Sequence, residues 1–443
     1  MFNVTAIPRF IRLKLQQYQG AQRIAGNMGW LFADRVVRMV MELVVGVLLA
    51  RYLGPAQLGL LTYAIAFVGL FGAVATLGLD NIVVRDIVRN PRDADDILGT
   101  ALTLRVLSAV VVYCVAVAII VALRPGDTLV QSLVAITAFG FVVQSFDVID
   151  FFFRSQVRSK YTVVARLIGL LLANILRVLL IWRHAPLLMF AWVALGELVF
   201  GSIGLIVAYR LSGHHLLAWR SRLQRGKQLL SESWPLILSG LAIMIYMRID
   251  QIMVGTIRGN AEVGTYAVAT RLSELWYFIP MALSTSVMPS VVAARQVSVE
   301  LRDYRIQKLM SFMALVGYFV AVTVTFLANY IVGLLYGPDY AAAAAMLAIL
   351  AWSGIFVCIG VIREMWMLTE GLQRYSFATT AIGALVNLVL NLVLIPPYGA
   401  AGAAVATLIA QFVAVVLATL VFPRTRAVFW MQVKALLMYG VFV

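Results

Sequence analysis

Four charged side chains lie inside the first long apolar run of the chain, in the segment DRVVRMVMEL at residues 34–43. Positions three or four apart share one face of a helix, so Asp34, Arg38 and Glu42 form one line, with Arg35 beside Arg38. A charge at the centre of a membrane-spanning helix costs roughly 2.5–3.5 kcal/mol on insertion scales. Charges in such places therefore indicate either ion pairs or a functional site.

Charged residues recur in the later apolar runs. Arg248 and Asp250 occur in MRIDQ, and Arg271 and Glu274 stand three residues apart in the next run. We predict a water-filled cavity lined by the helix-central charges at corresponding places of two chain halves, namely Arg38, Glu42, Arg248, Asp250, Arg271 and Glu274. Because guanidinium is permanently charged and binds phosphate bidentately, the cavity predicts an anionic, phosphorylated substrate. For Asp147, Asp150, Arg166 and Arg177 we expect instead ion pairs between helices, or side chains that extend to the membrane interface from near the span ends.

Catalytic and metal-binding patterns are weak. His184, His214 and His215 fall in or beside loops and match no metal-ligand spacing. The sequence contains no G-x-x-x-x-G-K-[ST] motif, so nucleotide hydrolysis by that route is excluded. We interpret Cys114 and Cys358 as small packing residues. The sequence thus favours transport over catalysis and predicts no cofactor and no metal site.

The elements that position these residues are membrane-spanning helices. Hydrophobic residues make up 63% of the chain and charged residues 12%, and the mean hydropathy is +0.94. A soluble domain would be roughly 45–50% apolar and roughly 25% charged. The net charge of +15 lies mostly between the apolar runs, so it indicates membrane topology and not nucleic-acid binding.

We predict an all-α polytopic protein with about twelve spans, because a span needs about 20 apolar residues. They run near residues 24–50, 58–82, 97–123, 129–152, 161–182, 186–209, 232–256, 264–291, 307–335, 341–368, 375–395 and 400–422. The amino-terminal tail, the even-numbered loops and the segment after the last span carry 22 Lys and Arg residues; the odd-numbered loops carry four. The positive-inside rule therefore predicts a cytoplasmic amino terminus in the cell membrane.

This pattern predicts five parts of the chain. They are a basic interfacial segment at 1–23, a six-helix bundle at 24–209, a basic cytoplasmic linker at 210–231, a second six-helix bundle at 232–422, and a basic segment with a short apolar stub at 423–443. The stub is either an interfacial element or a cut thirteenth helix, since it is too short to span. GPAQLG at 54–59 and GNAEVG at 259–264 share a G-x-A-x-x-G spacing at corresponding places, which indicates an internal repeat.

Four stretches resemble the Wzx-type polysaccharide-biosynthesis flippases of the multidrug, oligosaccharidyl-lipid and polysaccharide exporter superfamily. They are LLARYLGPAQLGLLTYA at 48–64, DQIMVGTIRGNAEVGTYAVATRLSE at 250–274, YGPDYAAAAAMLAIL at 336–350 and NLVLNLVLIPPYGAAGAAVAT at 387–407. The resemblance implies two bundles forming a V around a central cationic cavity, which moves a polyprenyl-diphosphate-linked oligosaccharide across the bilayer by alternating access. Membrane lipids and a polysaccharide polymerase are the further partners it implies.

The resemblance gives the charged residues separate roles. Arg35, Arg38, Arg248 and Arg271 would bind the diphosphate, while Asp250 and Glu274 would keep those side chains positioned. Trp276 and Tyr277 would stack on sugar rings, or belong to packing. Asp34, Glu42 and Asp250 are candidates for binding a coupling proton or sodium ion, a hypothesis that fails if transport ignores both gradients.

Three other functions stay open at this point. A lipid-linked peptidoglycan precursor flippase also needs arginines for a diphosphate. A cation or drug exporter of the same superfamily is disfavoured because an arginine accompanies each carboxylate. A membrane polysaccharide polymerase or ligase is disfavoured because such enzymes carry a large outer loop, and every odd-numbered loop here is short.

Overall fold

The structure is a computed structural model that describes the backbone of residues 9–439 and the side chains of Asn27 and residues 29–439. This part of the chain contains helices and no strand. The α-helices are α1 (Arg9–Gly69), α2 (Gly72–Thr76), α3 (Asp80–Arg89), α4 (Ala94–Leu123), α5 (Thr128–Gln144), α6 (Val148–Ser155), α7 (Lys160–Trp182), α8 (Leu187–Leu211), α9 (Leu223–Ile257), α10 (Asn260–Glu274), α11 (Phe278–Val297), α12 (Val299–Tyr336), α13 (Ala343–Thr369), α14 (Gln373–Phe412), α15 (Ala418–Val421) and α16 (Arg426–Leu436). Of the predicted interfacial segment, residues 9–23 begin α1 and residues 1–8 lie outside the described residues.

The number of spans depends on two glycines. Within the described residues, nine helical stretches are long and apolar enough to cross a membrane, and ten if the bent pair Gly29–Gly69 and Gly72–Arg89 counts as one span. Gly54 and Gly399 have non-helical φ/ψ inside α1 and α14. The stretch Gln373–Val421 has 49 residues, which would be about 74 Å of straight helix, over twice the ~30 Å hydrocarbon core. Dividing the ten stretches at both glycines yields twelve, which confirms the predicted all-α polytopic fold with about twelve spans.

The chain divides into two compact units. The first unit contains residues up to Leu48 and Gly72–Ile237, and the second contains Leu49–Phe71 and residues from Leu238 onwards. Residues 49–71 therefore belong to the second unit, although in sequence they lie between the two segments that form the first unit. The first unit also includes the predicted basic linker, where the Arg222 amide donates to Thr100 Oγ1 at 3.1 Å and the Arg222 side chain pairs with Asp96 at 2.7 Å.

Each unit has its own apolar core. In the first unit α3, α4, α6 and α8 bury residues such as Leu79, Ile149 and Tyr209. In the second unit α12 and α13 form the main packed pair, with Met310 and Cys358 buried between helices. The predicted packing role of Cys358 is confirmed. The same prediction for Cys114 is wrong, because that side chain is exposed on the outer face of α4.

The two G-x-A-x-x-G motifs share a backbone conformation and touch each other inside the second unit. Gly54 and Gly259 have φ of 68° and 94°, values that L side chains rarely adopt, and both have ψ of 173°. A Cβ atom on Gly59 would overlap the carbonyl of Asn260, and one on Gly264 would overlap the carbonyl of Pro55. The repeated spacing thus encodes a reciprocal close approach of two helix starts.

This contact predicts a strong preference for glycine. Gly59→Ala and Gly264→Ala should each lower stability by about 1–3 kcal/mol, because the added methyl group meets rigid backbone and forces the helices apart. Thermal unfolding of the purified protein in detergent measures the loss. Gly333→Ala on α12 is the matched control, since a Cβ there meets nothing within 4 Å. Equal melting temperatures for all three variants would contradict the reciprocal contact.

Candidate functional site

A cavity of about 260 Å³ lies inside the first unit. Four helices, α1, α5, α7 and α8, and the turn after α5 supply its walls. The lining residues are Asp34, Arg38, Gln144, Asp147, Arg166, Glu197, Leu198, Gly201 and Ser202. Five of these nine side chains are ionisable, so the cavity is a polar space between apolar helices.

Arg38 is held loosely between two carboxylates. Its guanidinium nitrogens lie 3.5 Å from Asp34 Oδ1 and 3.7 Å from Glu197 Oε1. Charge-assisted hydrogen bonds are normally about 2.7–2.9 Å long, so both pairs are weak. The side chain is 30% exposed. Arg38 can therefore exchange either carboxylate for another anion without breaking a tight hydrogen bond.

The other arginines of this region form tighter pairs between helices. Arg166 Nη2 lies 3.0 Å from Asp147 Oδ1 and 3.7 Å from Asp150 Oδ2. Arg177 Nη2 lies 2.8 Å from Glu197 Oε2, and its Nη1 donates to Asn174 Oδ1 at 2.8 Å. These contacts confirm the interhelical ion pairs predicted for the charges of this region.

The ion pairs around the cavity form a cluster of seven groups. The paired groups comprise four carboxylates, Asp34, Asp147, Asp150 and Glu197, and three guanidinium groups, Arg38, Arg166 and Arg177. With every group ionised these seven groups carry one formal negative charge. Arg105 also acts electrostatically on Asp147 and Asp150, and Arg154 on Asp150, so further positive charge lies close to the cluster.

In the second unit, Arg248 on α9 is a partly buried guanidinium in a membrane span. Within the part of the chain that the structure describes, no carboxylate lies within 4.0 Å of it. Gly69 faces its side chain, since a Cβ there would lie 3.8 Å from Arg248 Cγ. A permanent charge inside apolar helices needs water or an anion as a partner. Arg248 is therefore a candidate for binding a negatively charged ligand.

Asp250 lies two residues away but belongs to a separate hydrogen-bond network. It is buried, and its carboxylate accepts from the Tyr266 hydroxyl at 2.5 Å and the Gln251 amide at 2.8 Å. Tyr266 also lies 3.3 Å from Thr407 Oγ1. Among the described residues Asp250 makes no ion pair within 4.0 Å, and its hydrogen-bond network joins α9, α10 and α14, while Arg248 acts on it electrostatically from a longer distance.

The remaining predicted site residues are distributed between the units. Arg35 and Glu42 are exposed side chains of α1 in the first unit, while Arg271 and Glu274 are exposed side chains of α10 in the second. Glu274 forms no ion pair within 4.0 Å among the described residues, but it interacts electrostatically with Arg248. The diphosphate-binding role of the four arginines and the coupling role of Asp34 and Glu42 stay predictions.

Several polar residues of these sites escaped the sequence reasoning. Gln144 and Ser202 line the cavity, and Tyr266 binds Asp250, yet single uncharged polar residues in apolar runs are too common to stand out. Trp276 packs against Gly354, and Tyr277 lies 3.4 Å from Ser353 Oγ, so both aromatic residues contact α13. These contacts fit the packing alternative for the pair.

Two family profiles match this chain. The profile described as polysaccharide biosynthesis protein matches residues 24–292, and the MatE profile matches residues 235–393. The first covers more than half of the chain. The chain therefore belongs to the polysaccharide biosynthesis protein family, and the resemblance drawn from its sequence motifs is confirmed.

Curated relatives match over part of their length. The chain is 27% identical to the probable flippase AglR of Haloferax volcanii over 42% of this chain and 40% of that one. It is 25% identical to the probable low-salt glycan biosynthesis flippase Agl15 of the same organism, over 46% and 45%. It is 21% identical to the capsular polysaccharide biosynthesis protein CapF of Staphylococcus aureus, over 45% and 51%. The matched region thus spans about half the length of these relatives or less.

Solved structures share the fold over nearly the whole chain. The lipid II flippase MurJ in an inward closed conformation superposes with a TM-score of 0.67 at 16% identity, covering 94% of this chain and 91% of that one. An inward-facing multidrug resistance MATE family transporter gives a TM-score of 0.71 at 17% identity, covering 90% and 95%. At these identities the likeness establishes the fold and leaves the substrate open.

Proposed function

We propose that this protein flips polyprenyl-diphosphate-linked oligosaccharide units across the cell membrane for surface polysaccharide export. The observation that carries the proposal is Arg248, a guanidinium within a span that has no carboxylate partner within 4.0 Å among the described residues, with Glu274 and Asp250 as more distant electrostatic neighbours. A diphosphate supplies that partner, because its oxygens match the planar fork of guanidinium. Membership of the polysaccharide biosynthesis protein family and the similarity to Agl15, a probable glycan biosynthesis flippase, support a glycan substrate, and the similarity to the probable flippase AglR supports flipping.

In this mechanism the polyprenyl tail stays in lipid while the diphosphate and sugars pass through the protein. Diphosphate oxygens would replace the loose contacts of Arg38 with Asp34 and Glu197 in the first unit. Asp34 would then lose its cation and gain affinity for a proton or sodium ion. Binding of substrate and binding of the coupling ion are linked in this way, and a few kcal/mol of differential affinity shifts a two-state transporter.

Asp34 is the first candidate for the coupling residue because it lines the first-unit cavity beside Arg38, and Glu42 is the second candidate on the same helix. We place the amino terminus in the cytoplasm, from the distribution of basic residues. A polysaccharide polymerase as partner follows from the family resemblance alone.

A peptidoglycan precursor flippase is the second candidate, because the MurJ fold covers 94% of this chain and both substrates carry a diphosphate. The two are separated by the glycan that accumulates when the protein is missing. A cation or drug exporter would need an acidic cavity, whereas arginines pair with the carboxylates of the first-unit cavity. A polymerase or ligase would act on substrate already outside.

The decisive experiment follows lipid-linked glycan in a strain lacking this protein. We expect the lipid-linked oligosaccharide to accumulate, and to be protected in spheroplasts from a membrane-impermeant oxidant that cleaves exposed sugars. Mass spectrometry of the accumulated lipid identifies its glycan. Accumulated substrate open to the oxidant would indicate a polymerase or ligase, and accumulated muramyl-peptide lipid would indicate the peptidoglycan precursor. Unchanged lipid-linked glycan would contradict flipping altogether.

A further inference from the structure

A second pocket, of about 400 Å³, lies at the predicted cytoplasmic end of the first unit, apart from the charged cavity. It is formed by Asn27 and Trp30 of α1, the turn after α6 and the start of α7. Its lining residues are Asn27, Trp30, Gln156, Val157, Arg158, Lys160 and Tyr161. None of them has a role in the proposed transport step.

The pocket is cationic. Arg158 and Lys160 are exposed side chains of its wall, and within the described residues neither has a carboxylate within 4.0 Å. Lys160 Nζ lies 5.5 Å from the centre of the Trp30 ring. Because the described lining contains no acidic residue, two positive charges face the pocket without compensation, and a ligand with negative charge is favoured there.

Hydrogen bonds and ring stacking hold the turn that contains Arg158 against the surrounding helices. Val157 has φ of 55°, an unfavourable conformation for a β-branched residue, and the Arg158 amide donates to the Phe153 carbonyl at 2.9 Å. The Ser159 amide donates to Asn27 Oδ1 at 2.8 Å, which ties the turn to α1. Phe153 and Tyr161 stack with ring centres 5.2 Å apart. The pocket is therefore a built feature of three helices.

Exposed apolar surface adjoins the charges. Trp30, Val157 and Tyr161 are 40–44% exposed, and Trp and Tyr are typical of the level of the lipid headgroups. Cations beside exposed aromatic rings at a span end fit a ligand that has a phosphate group and an apolar body. A free phosphate ion would make no use of the rings.

We propose that this pocket binds the headgroup phosphate of an anionic phospholipid of the inner leaflet. Arg158 and Lys160 contact the phosphate, while Trp30 and Tyr161 lie along the glycerol backbone and the first methylene groups. The bound lipid holds the part of α1 around Asn27 and Trp30 against the turn between α6 and α7. The site is separate from the proposed transport path, so its test does not depend on transport.

The test is a lipid titration of the full-length protein in detergent, with bound lipids counted by native mass spectrometry. The probes are dioleoyl phosphatidylglycerol, dioleoyl phosphatidylcholine and undecaprenyl diphosphate. A cation near the membrane surface contributes about 1 kcal/mol to anionic lipid binding, or about fivefold. Arg158→Gln with Lys160→Gln should therefore weaken binding of the first phosphatidylglycerol about 25-fold.

Arg154→Gln is the matched control, because Arg154 is an exposed cation of the same turn region that does not line the pocket. It should change binding by less than about twofold. The melting temperature without lipid verifies folding, and the single variant Lys160→Gln, with about a fivefold loss, replaces the double variant if the latter unfolds.

Three results would overturn the proposal. They are equal phosphatidylglycerol binding by wild type and pocket variant, equal losses in the pocket variant and Arg154→Gln, and equal binding of phosphatidylcholine and phosphatidylglycerol by wild type. A preference for undecaprenyl diphosphate that disappears in the pocket variant would assign the site to the substrate's carrier and also overturn the phospholipid assignment.

Discussion

Arg248→Ala is expected to abolish export of the surface glycan, whereas Arg248→Lys should retain part of it. Two charge-assisted hydrogen bonds to a diphosphate contribute about 3 kcal/mol or more, so their loss lowers substrate affinity at least about 100-fold. Lysine keeps the positive charge but lacks the planar fork, so it should lose only about half of that free energy. Surface glycan measured in cells, normalised to the amount of protein in the membrane, gives the result.

The matched control for Arg248 is Arg183→Ala. Arg183 is an exposed arginine in a predicted outer loop, 5.7 Å from the centre of the Trp182 ring, and contacts neither candidate site. Its removal should leave export unchanged. Normal surface glycan in the Arg248→Ala strain would refute this residue as a diphosphate ligand and remove the main support for the proposed substrate class.

Arg38→Ala is expected to abolish export as well. The substitution removes a proposed phosphate ligand, and it also makes the charge of the cluster more negative. Without Arg38 the cluster around the first-unit cavity has four carboxylates and two guanidinium groups. Asp34 loses its cation, while Glu197 keeps Arg177 at 2.8 Å. Loss of export could therefore reflect either a missing phosphate ligand or the added negative charge.

The double variant Arg38→Ala with Glu197→Gln separates these explanations, because it restores the original formal charge of the cluster. If Arg38 binds the diphosphate, the double variant stays inactive and Arg38→Lys retains part of the export. Recovery of export in the double variant would instead give Arg38 a purely charge-balancing role and contradict the proposal. Melting temperatures of both variants in detergent show whether the first unit is still folded.

Spans and charges were predictable because both are local properties of the chain. Twenty consecutive apolar residues form a helix in lipid wherever they occur, since lipid offers no other partner for backbone amides. Asp34, Arg38 and Arg248 were recognisable as unusual because each is a charged residue within a long apolar segment. Placing an ionisable residue in a membrane span costs free energy, so such residues are few. Those that are present therefore indicate an ion pair or a functional site.

The pairing of those charges depended on contacts between segments far apart in sequence. Glu197 of α8 accepts from Arg177 of α7 and approaches Arg38 of α1, and no spacing along the chain specifies that meeting. Asp250 looked like a partner for a neighbouring arginine, yet its carboxylate binds Tyr266. The choice among several possible partners is made by helix packing, which sequence periodicity does not encode.

By itself, the sequence determined that this is a helical membrane protein of about twelve spans with arginines in apolar surroundings and a repeated G-x-A-x-x-G spacing. Only the tertiary structure decided that Gly59 and Gly264 pack against each other, and that Arg38 is shared by two carboxylates while Arg248 has none within 4.0 Å among the described residues. The physical reason is the distance along the sequence over which each property is determined. Hydropathy and helix formation are set within one or two turns, whereas ion pairs and close backbone approaches depend on which helices the folded chain brings into contact.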